Sequence, residues 1–338
     1  MEGQVFKIHS DFYYVNTNDF GILECKLREI IKKQKQQVLV GDFVSLEQVS
    51  EESKQAFISS ILPRKNFITK PKAANITQAV IVSALKEPEI DFEQLNRYIA
   101  FCEYSNVAPV LCFNKDDLID EENLIFEIKN LYESLGYRVI FTSALRKSGI
   151  CVLSDILANQ TSIFCGMSGA GKSSLINTLS SEIKMRTKNV SEKTKKGVHT
   201  TRHCEIIEVG KDTYVVDTPG FSNLRFNFLL PQDIQSFFSE IKELSKNCKF
   251  NNCLHQNEAG CNVLLNLNLI DKNRYLSYLK FVDEAFEYKN KITYEGKKVE
   301  STVKLNKNKN MSKISAKKRI DSRKTDRQKI EKEYFKED

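Results

Sequence analysis

A glycine-rich segment in the middle of the chain has the residue types and spacing of a phosphate-binding loop. Residues 166–173 read G-M-S-G-A-G-K-S, which matches G-x-x-x-x-G-K-[ST], follows a predicted strand (TSIFC) and leads into a predicted helix. Lys172 would supply charge to the β and γ phosphates, and Ser173 would offer its hydroxyl to Mg²⁺. The pattern predicts a nucleoside triphosphate site formed by Gly166, Met167, Ser168, Gly169, Ala170, Gly171, Lys172, Ser173 and Ser174.

A second segment, D-T-P-G at residues 217–220, follows the apolar run TYVV. Asp217, at the end of a buried strand, could hold Mg²⁺ through water, and the N–H of Gly220 could contact the γ-phosphate. The pattern D-x-x-G alone is usually just a turn. Together with the phosphate loop it indicates a nucleotide-hydrolysing switch protein.

The base could be read by N-K-D-D at residues 114–117, which ends the run PVLCF. A carboxylate at Asp117 would accept hydrogen bonds from N1–H and the 2-amino group of guanine, and adenine lacks this pair. Asn114 would brace the loop, and the stem of Lys115 would cover the base. A polar loop end with no ligand is the ordinary explanation for such a string.

A further polar segment, T-S-A at residues 142–144, follows the run RVIF. A backbone N–H of Ser143 or Ala144 would donate to guanine O6. Alone, this string is also commonly a plain loop end. Because both strings follow strands of one predicted α/β region, together they favour a guanine nucleotide.

The segment G-V-H-T-T at residues 197–201 lies between the phosphate loop and Asp217. The residue after D-T-P-G is Phe221, so a glutamine does not position the attacking water there. His199 is the nearest candidate to orient or deprotonate that water, although a lone histidine near a loop is as readily structural. Thr200 or Thr201 would reach Mg²⁺.

Three cysteines and a histidine are crowded into fourteen residues near the C-terminal third. Cys248, Cys253, His255 and Cys261 have the spacing C-x4-C-x-H-x5-C and the ligand count of a closed tetrahedral Zn²⁺ site, which stabilises a module without performing chemistry. The spacing departs from C-x2-C, so free thiols in a loop are the alternative. A segment this polar offers thiols no core to enter.

The elements that must position these residues change along the chain. Residues 1–70 contain short strand-like runs with polar or glycine turns, typical of a small barrel of the oligonucleotide-binding (OB) type. Residues 71–230 alternate apolar runs with amphipathic segments, which predicts an α/β domain with a largely parallel sheet. Residues 231–290 are predicted to form a mainly helical metal-binding domain, followed by a disordered tail over 291–338.

The motif order is unusual, because the base-reading strings precede the phosphate loop by about 50 residues. In ordinary GTPases they follow it. The order therefore predicts a circular permutation of the same sheet, which is tolerated when the original termini lie close together.

Composition excludes several classes of protein. The chain has 338 residues, 41% hydrophobic and 28% charged, which is typical of globular domains. No run reaches the ~18 apolar residues of a membrane span, and residues 1–10 lack the apolar core of a signal peptide. The six cysteines outside the cluster lie mostly in apolar runs and are interpreted as reduced core thiols. We therefore expect a cytoplasmic protein with no membrane partner.

The net charge of +7 is concentrated at one end. Residues 289–338 contain 17 basic and 8 acidic residues, whereas residues 1–288 contain 34 basic and 36 acidic residues. A basic tail could bind a polyanion such as RNA, or it could be a solvated end without a ligand.

The motif order, from N-K-x-D through G-V-H-T-T and D-T-P-G-F to the cysteine cluster, resembles the ribosome small-subunit-dependent GTPase A family over about residues 1–285. The resemblance implies an N-terminal OB-fold, a permuted GTPase domain and a C-terminal zinc-finger domain. It also implies a weak GTPase stimulated by the small ribosomal subunit, acting late in the maturation of that subunit. It favours His199 as the catalytic residue and assigns Mg²⁺ to Ser173 and a switch threonine, here chosen as Thr201.

Two hypotheses for function follow. The first is an enzyme that hydrolyses GTP to GDP and phosphate by positioning and charge stabilisation, acting as a monomer on the small subunit and its rRNA. The second is an rRNA-binding assembly factor in which GTP sets the conformation and turnover is incidental. An ATPase is disfavoured by Asp117, and a large-subunit GTPase by the barrel and the zinc cluster.

Overall fold

The computed structural model describes most of the chain. The residues described are 1–33, 37–69, 72–119, 122–186, 205–210, 212–217, 224–295, 303–306 and 309–312. Two compact units are distinguished, residues 1–288 and residues 289–338.

A closed five-stranded barrel forms the N-terminal part. Its strands pair in the order β1-β2-β3-β5-β4, and pairing of β1 with β4 closes the ring. Alternate side chains point inward, so Val5, Val15 and Ile58 are buried in one apolar core. The predicted N-terminal barrel is confirmed. Its strands and one short helix are β1 (Glu2–His9), β2 (Phe12–Thr17), β3 (Gly21–Leu27), α1 (Glu29–Lys33), β4 (Phe43–Ser50) and β5 (Gln55–Ile61).

A small hairpin, β6 (Phe67–Thr69) with β7 (Lys72–Ala74), connects the barrel to the central domain. The central sheet then has the order β10-β9-β8-β11-β13-β12, in which all neighbours except β12 and β13 are parallel. Its strands are β8 (Gln78–Ala84), β9 (Ala108–Asn114), β10 (Arg138–Thr142), β11 (Thr161–Cys165), β12 (Glu205–Gly210) and β13 (Thr213–Asp217).

Helices cover both faces of this sheet, which is why its strands are almost wholly apolar. Ile81 of β8 packs in one core with Tyr98 and Tyr132, whereas Val80 packs in the opposite core with Leu153. The helices are α2 (Phe92–Tyr104) and α3 (Glu122–Ser134) on the first side, and α4 (Ile150–Leu157) and α5 (Lys172–Arg186) on the second. The predicted α/β domain is confirmed.

Strand β12 is the main departure from the predicted sheet. It runs antiparallel to β13, and Lys7 of β1 pairs with Glu205 of β12. The barrel and the central sheet therefore form one continuous eleven-stranded sheet. The short run EIIEVG gives β12 only a weak strand signal, so its pairing could not be anticipated from the sequence.

The next part of the chain is helical, with one apolar core that includes Phe238, Tyr278 and Phe281. The fully buried Arg274 pairs with Glu240 at 2.7 Å and donates to Asn96 Oδ1 of α2 at 3.3 Å. This network joins the helical part to the central domain. Its elements are a 3₁₀ helix (Pro231–Phe237), α6 (Ser239–Ser245), α7 (Asn262–Leu265), a second 3₁₀ helix (Leu267–Leu269) and α8 (Lys272–Glu295).

The second unit begins within α8. Its other described element is an antiparallel hairpin, β14 (Val303–Asn306) with β15 (Lys309–Ser312). These eight residues, like residues 291–295 of α8, lie in regular elements, whereas the sequence predicts disorder over 291–338. In β14 the apolar Val303 and Leu305 alternate with Lys304 and Asn306, a pattern that suits a strand. Residues 313–338 lie outside the described residues, so their disorder stays a prediction. Within the described ranges, no helix has the length and apolar character to cross a bilayer.

Candidate nucleotide site and cysteine–histidine cluster

The phosphate loop lies between β11 and α5, at the carboxyl edge of the sheet. Gly166, Gly169 and Gly171 have positive φ angles of 137°, 80° and 94°. A Cβ at Gly166 would lie 2.0 Å from the carbonyl oxygen of Val82, so only glycine fits there. Ser168 is exposed in the loop, and Ser173 and Ser174 are exposed in the first turn of α5.

Lys172 turns back over this loop. Its Nζ donates to the carbonyl of Gly166 at 2.8 Å and to that of Met167 at 2.7 Å. Burial lowers the pKa of Lys172 from its ordinary value. The ammonium is therefore held inside the loop by two carbonyl groups, and phosphate oxygens could replace them as partners.

Asn114 connects the base-reading strings to the phosphate loop. Its side chain is buried, and Nδ2 donates to the carbonyl of Ala170 at 2.9 Å. Its Oδ1 accepts from the hydroxyl of Thr142 at 3.2 Å and from the N–H of Ala144 at 3.3 Å. One amide thus bonds to two segments, the phosphate loop and the T-S-A segment, which are contacts of the kind that a bracing role for Asn114 would need.

The two neighbouring acids in the N-K-D-D segment have different surroundings. The carboxylate of Asp116 accepts from the hydroxyl of Ser148 at 3.0 and 3.1 Å. Among the described residues, the carboxylate of Asp117 has no hydrogen-bond partner, so it is the acid available to a base. Lys115 has a φ of 64° and its ammonium donates to the carbonyl of Glu87.

The two backbone donors expected to face the base differ as well. The N–H of Ser143 donates to the carbonyl of Ser148 at 3.1 Å, so it is used within its own loop. Within the part of the chain that the structure describes, the N–H of Ala144 makes one bond, to Asn114 at 3.3 Å. Of the two, Ala144 is the better placed to donate to a guanine oxygen.

Three of the predicted site residues lie outside the described part of the chain. His199 and Thr201 fall in residues 187–204, and Gly220 falls in residues 218–223, so their roles stay predictions. Asp217 is the last residue of β13, which pairs in parallel with β11. It therefore leaves the sheet at the same edge as the phosphate loop.

The cysteine–histidine cluster is assembled as the spacing predicts. The candidate ligand atoms of Cys248, Cys253, His255 and Cys261 all lie within 4.8 Å of one another. Cys248 Sγ is 3.9 Å from Cys261 Sγ, and His255 Nδ1 is 3.3 Å from Cys261 Sγ. Zn–S bonds of about 2.3 Å at tetrahedral angles place two sulfurs ~3.8 Å apart, so the donor set fits Zn²⁺.

Other residues fix the orientation of this cluster. His255 Nε2 lies 2.9 Å from Gln235 Oε1, which leaves Nδ1 to face the thiols. Burial lowers the pKa of His255, which favours the neutral imidazole that metal binding requires. The carboxylate of Glu258 accepts from the N–H groups of Leu254 and Gln256 at 2.7 and 2.8 Å and so orders the loop. Gln235 was not anticipated, because its spacing of 20 residues from His255 carries no signal.

Comparison with known proteins gives matches to family models along most of the chain. Residues 2–58 match the family model described as the RsgA N-terminal domain, and residues 61–227 match the one described as RsgA GTPase. Residues 161–307 also match a model described as 50S ribosome-binding GTPase.

Curated relatives agree with the two RsgA matches. The small ribosomal subunit biogenesis GTPase RsgA of Caldanaerobacter subterraneus subsp. tengcongensis is 39% identical over 289 residues, which is 85% of this chain and 96% of that protein. The protein of the same name from Clostridium beijerinckii is 39% identical over 290 residues, 85% and 98% of the two chains.

Two crystal structures share the fold. YloQ, described as a circularly permuted GTPase, has a TM-score of 0.71 and 29% identity, covering 85% of this chain and 95% of its own. YjeQ from Thermotoga maritima has a TM-score of 0.72 and 31% identity, covering 84% and 98%. The chain therefore belongs to the RsgA GTPase family and is a GTP hydrolase of the circularly permuted kind.

Proposed function

We propose that this GTP hydrolase acts late in the maturation of the small ribosomal subunit and that the subunit stimulates its turnover. Relatives named small ribosomal subunit biogenesis GTPase cover most of the chain and support this role. The proposal that this site binds and hydrolyses GTP rests on the hydrogen bonds of Asn114. Its side-chain amide bonds to both the phosphate loop and the T-S-A segment. A guanine and a triphosphate can therefore be held by one connected framework.

The proposed chemistry assigns one task to each group. Asp117 selects guanine, and Lys172 exchanges the carbonyls of Gly166 and Met167 for phosphate oxygens. Ser173, Thr201 and Asp217 would hold Mg²⁺, which neutralises charge on the phosphates when bound. His199 orients the attacking water, so catalysis consists of positioning and charge stabilisation.

The outer face of the barrel supplies a candidate surface for rRNA. The ammonium of Lys26 lies 5.0 Å from the ring centroid of Phe12, and Lys26 is directly opposite Phe57 on the neighbouring strand. Phe57 is 37% exposed. A basic side chain between two aromatic rings suits the stacking of unpaired bases beside a phosphate backbone.

The remaining parts of the proposal concern assembly and metal content. The cysteine–histidine cluster would hold one structural Zn²⁺ that supports a second contact with the subunit. The chain acts in the cytoplasm as a monomer, with GTP, GDP and the small subunit as its partners.

A turnover assay tests the proposal. The purified chain is incubated with GTP alone, with small subunits and with large subunits, and Lys172→Ala is the matched inactive control. We expect stimulation on the order of tenfold or more by small subunits only. GTP-dependent binding to small subunits without stimulation would favour the assembly-factor hypothesis, and equal stimulation by large subunits would contradict the proposed target.

A further inference from the structure

Two neighbouring loops at the sheet edge are joined by hydrogen bonds from Arg146 and Ser148, which lie outside the base-reading motifs. The acidic loop, residues 115–118, carries Asp116 and Asp117, and the bracing loop, residues 143–148, follows β10. The hydroxyl of Ser148 donates to both oxygens of Asp116, at 3.0 and 3.1 Å. A guanidinium nitrogen of Arg146 donates to the backbone carbonyl of Asp117 at 3.2 Å.

From these contacts we propose that Arg146 and Ser148 are positioning residues for base recognition: they set the orientation of Asp117 and so the preference for guanine. The inference rests on the proposed role of Asp117 as the group that reads the base. Neither residue belongs to the N-K-x-D or T-S-A pattern.

The acidic loop is a single short turn. It is one 3₁₀ turn, with backbone bonds from the N–H of Leu118 to the carbonyl of Lys115 at 3.1 Å and from the N–H of Ile119 to the carbonyl of Asp116 at 3.2 Å. Asp117 must place two oxygens against N1–H and the 2-amino group at once, and small displacements break such paired bonds. Arg146 holds the carbonyl of Asp117 itself, and Ser148 holds the residue before it. The two contacts thus restrain the backbone that carries the side chain of Asp117.

Ser148 has a second effect, because two acids are adjacent. Its single hydroxyl hydrogen is shared between the two oxygens of Asp116 and holds that carboxylate toward the bracing loop. Without that donor, the carboxylate of Asp116 could turn toward the base and compete with Asp117 for it. The bracing loop is itself ordered by the N–H of Arg146, which donates to Ser143 Oγ at 2.9 Å.

The contacts of Arg146 and Ser148 contribute more to the preference for guanine nucleotides than to the stability of the fold. The side chain of Arg146 is exposed, and Asp116 and Ser148 are half-buried, so loss of one contact costs the fold little. A structural role alone would weaken every nucleotide equally. A positioning role weakens GDP and leaves ADP, which Asp117 cannot bind in this way, nearly unchanged.

The test is a titration of the full chain with GDP, IDP, XDP and ADP. We expect Ser148→Ala and Arg146→Ala each to lower the GDP-to-ADP selectivity about tenfold, the worth of one hydrogen bond to a charged group. Ser148→Thr, which keeps the hydroxyl, should restore the selectivity. Lys147→Asn is the matched control in the same loop, because asparagine tolerates the φ of 60° found there.

Asp117→Asn separates this inference from the base assignment on which it rests. We expect that variant to prefer XDP, since an amide can donate to the 2-oxo group of xanthine. If it still prefers GDP, the base assignment and the positioning role both fail. If it switches to XDP while Arg146→Ala and Ser148→Ala leave selectivity unchanged, or weaken GDP and ADP equally, only the positioning role fails. Should Ser148→Ala not fold, the exposed Arg146→Ala carries the test.

Discussion

The side-chain amide of Asn114 donates a 2.9 Å hydrogen bond to the carbonyl of Ala170, 56 residues further along the chain. In this permuted chain the base-reading segments precede the phosphate loop. The bond is a direct polar connection between the two sets of predicted nucleotide contacts. Burial of Asn114 makes the bond hard to replace with water.

Substitution of Asn114 by Asp tests this connection. The variant keeps an oxygen for Thr142 and Ala144 but places a second acceptor against the carbonyl of Ala170. We expect a loss of about 1–3 kcal/mol in GDP binding or in unfolding free energy, the cost of an unsatisfied buried group. Calorimetric titration and thermal unfolding measure both. Thr142→Val removes the 3.2 Å bond to Asn114 and a 3.4 Å contact with Cys112 Sγ but leaves the Ala170 bond in place, so it should cost less; equal costs would contradict the special role of the Ala170 contact.

Two glycines of the phosphate loop form a matched pair. Gly169 and Gly171 both have positive φ, so alanine is strained at either. A Cβ at Gly171 would lie 2.1 Å from Asn114 Nδ2, whereas at Gly169 it would meet only Pro88, at 3.5 Å. We expect Gly171→Ala to weaken GDP binding by about 1–3 kcal/mol more than Gly169→Ala, because Asn114 must release Ala170. Equal affinities would show that backbone strain alone matters.

Metal removal tests the cysteine–histidine cluster. Elemental analysis should find one zinc per chain, Cys261→Ser should abolish it, and a chelator should lower the melting temperature of the wild type. Cys151→Ser, which lies outside the cluster, is the control and should keep its metal. Gln235→Ala should weaken zinc affinity by about 10–100-fold through loss of the His255 contact. Full zinc content in Cys261→Ser would refute the assigned ligand set.

We expect the face of the barrel that carries Lys26 and Phe57 to contribute to the binding of small subunits. Phe57→Ala should weaken binding to small subunits by about 1–3 kcal/mol if a base stacks on this ring. Lys26→Ala should reduce the slope of log affinity against log salt concentration by about one. Lys129→Ala, an exposed position on α3, removes the same charge elsewhere and is the control. If all three variants have the same affinity for small subunits and the same salt slope, this face of the barrel does not contact the subunit.

The ion pairs between α2 and α8 predict a pH dependence of stability. Burial by itself would raise the pKa of Glu93, but hydrogen bonds from Lys280 and Arg97, at 2.6 and 2.9 Å, outweigh it and lower the pKa. A lowered folded-state pKa means that the carboxylate stabilises the fold above its unfolded pKa of about 4.3. That contribution is lost as pH falls through the lower folded value.

Urea unfolding measures this dependence. Wild type should exceed Glu93→Gln in unfolding free energy at about pH 7, and the difference should shrink as pH falls below the unfolded pKa of about 4.3 and through the lowered folded pKa, where the carboxylate takes up a proton. A difference that is constant over this range would show that the carboxylate charge is not its cause.

Sequence patterns predicted the motif-bearing strands well, because a sheet covered on both faces leaves long apolar runs that end at its functional edge. The number and type of metal ligands in the cysteine–histidine cluster could also be predicted from the sequence alone. The bonds of Asn114 to Ala170 and of Gln235 to His255 could not be predicted, since contacts between distant residues leave no local periodicity. The N-K-x-D pattern predicts that Asp117, and not Asp116, reads the base. The bond from the hydroxyl of Ser148 to Asp116, which distinguishes the two acids physically, could not be predicted from the sequence.

The continuous sheet gives the barrel and the central domain a short mechanical connection through the pairing of Lys7 with Glu205. β1 of the barrel pairs with β12, and β12 pairs with β13, which ends at Asp217. Two interstrand spacings, about 10 Å, thus separate the barrel from the strand that carries a proposed magnesium ligand. A ligand that bends β1 would pull on that strand through backbone hydrogen bonds, with no need for a signal to pass along a linker.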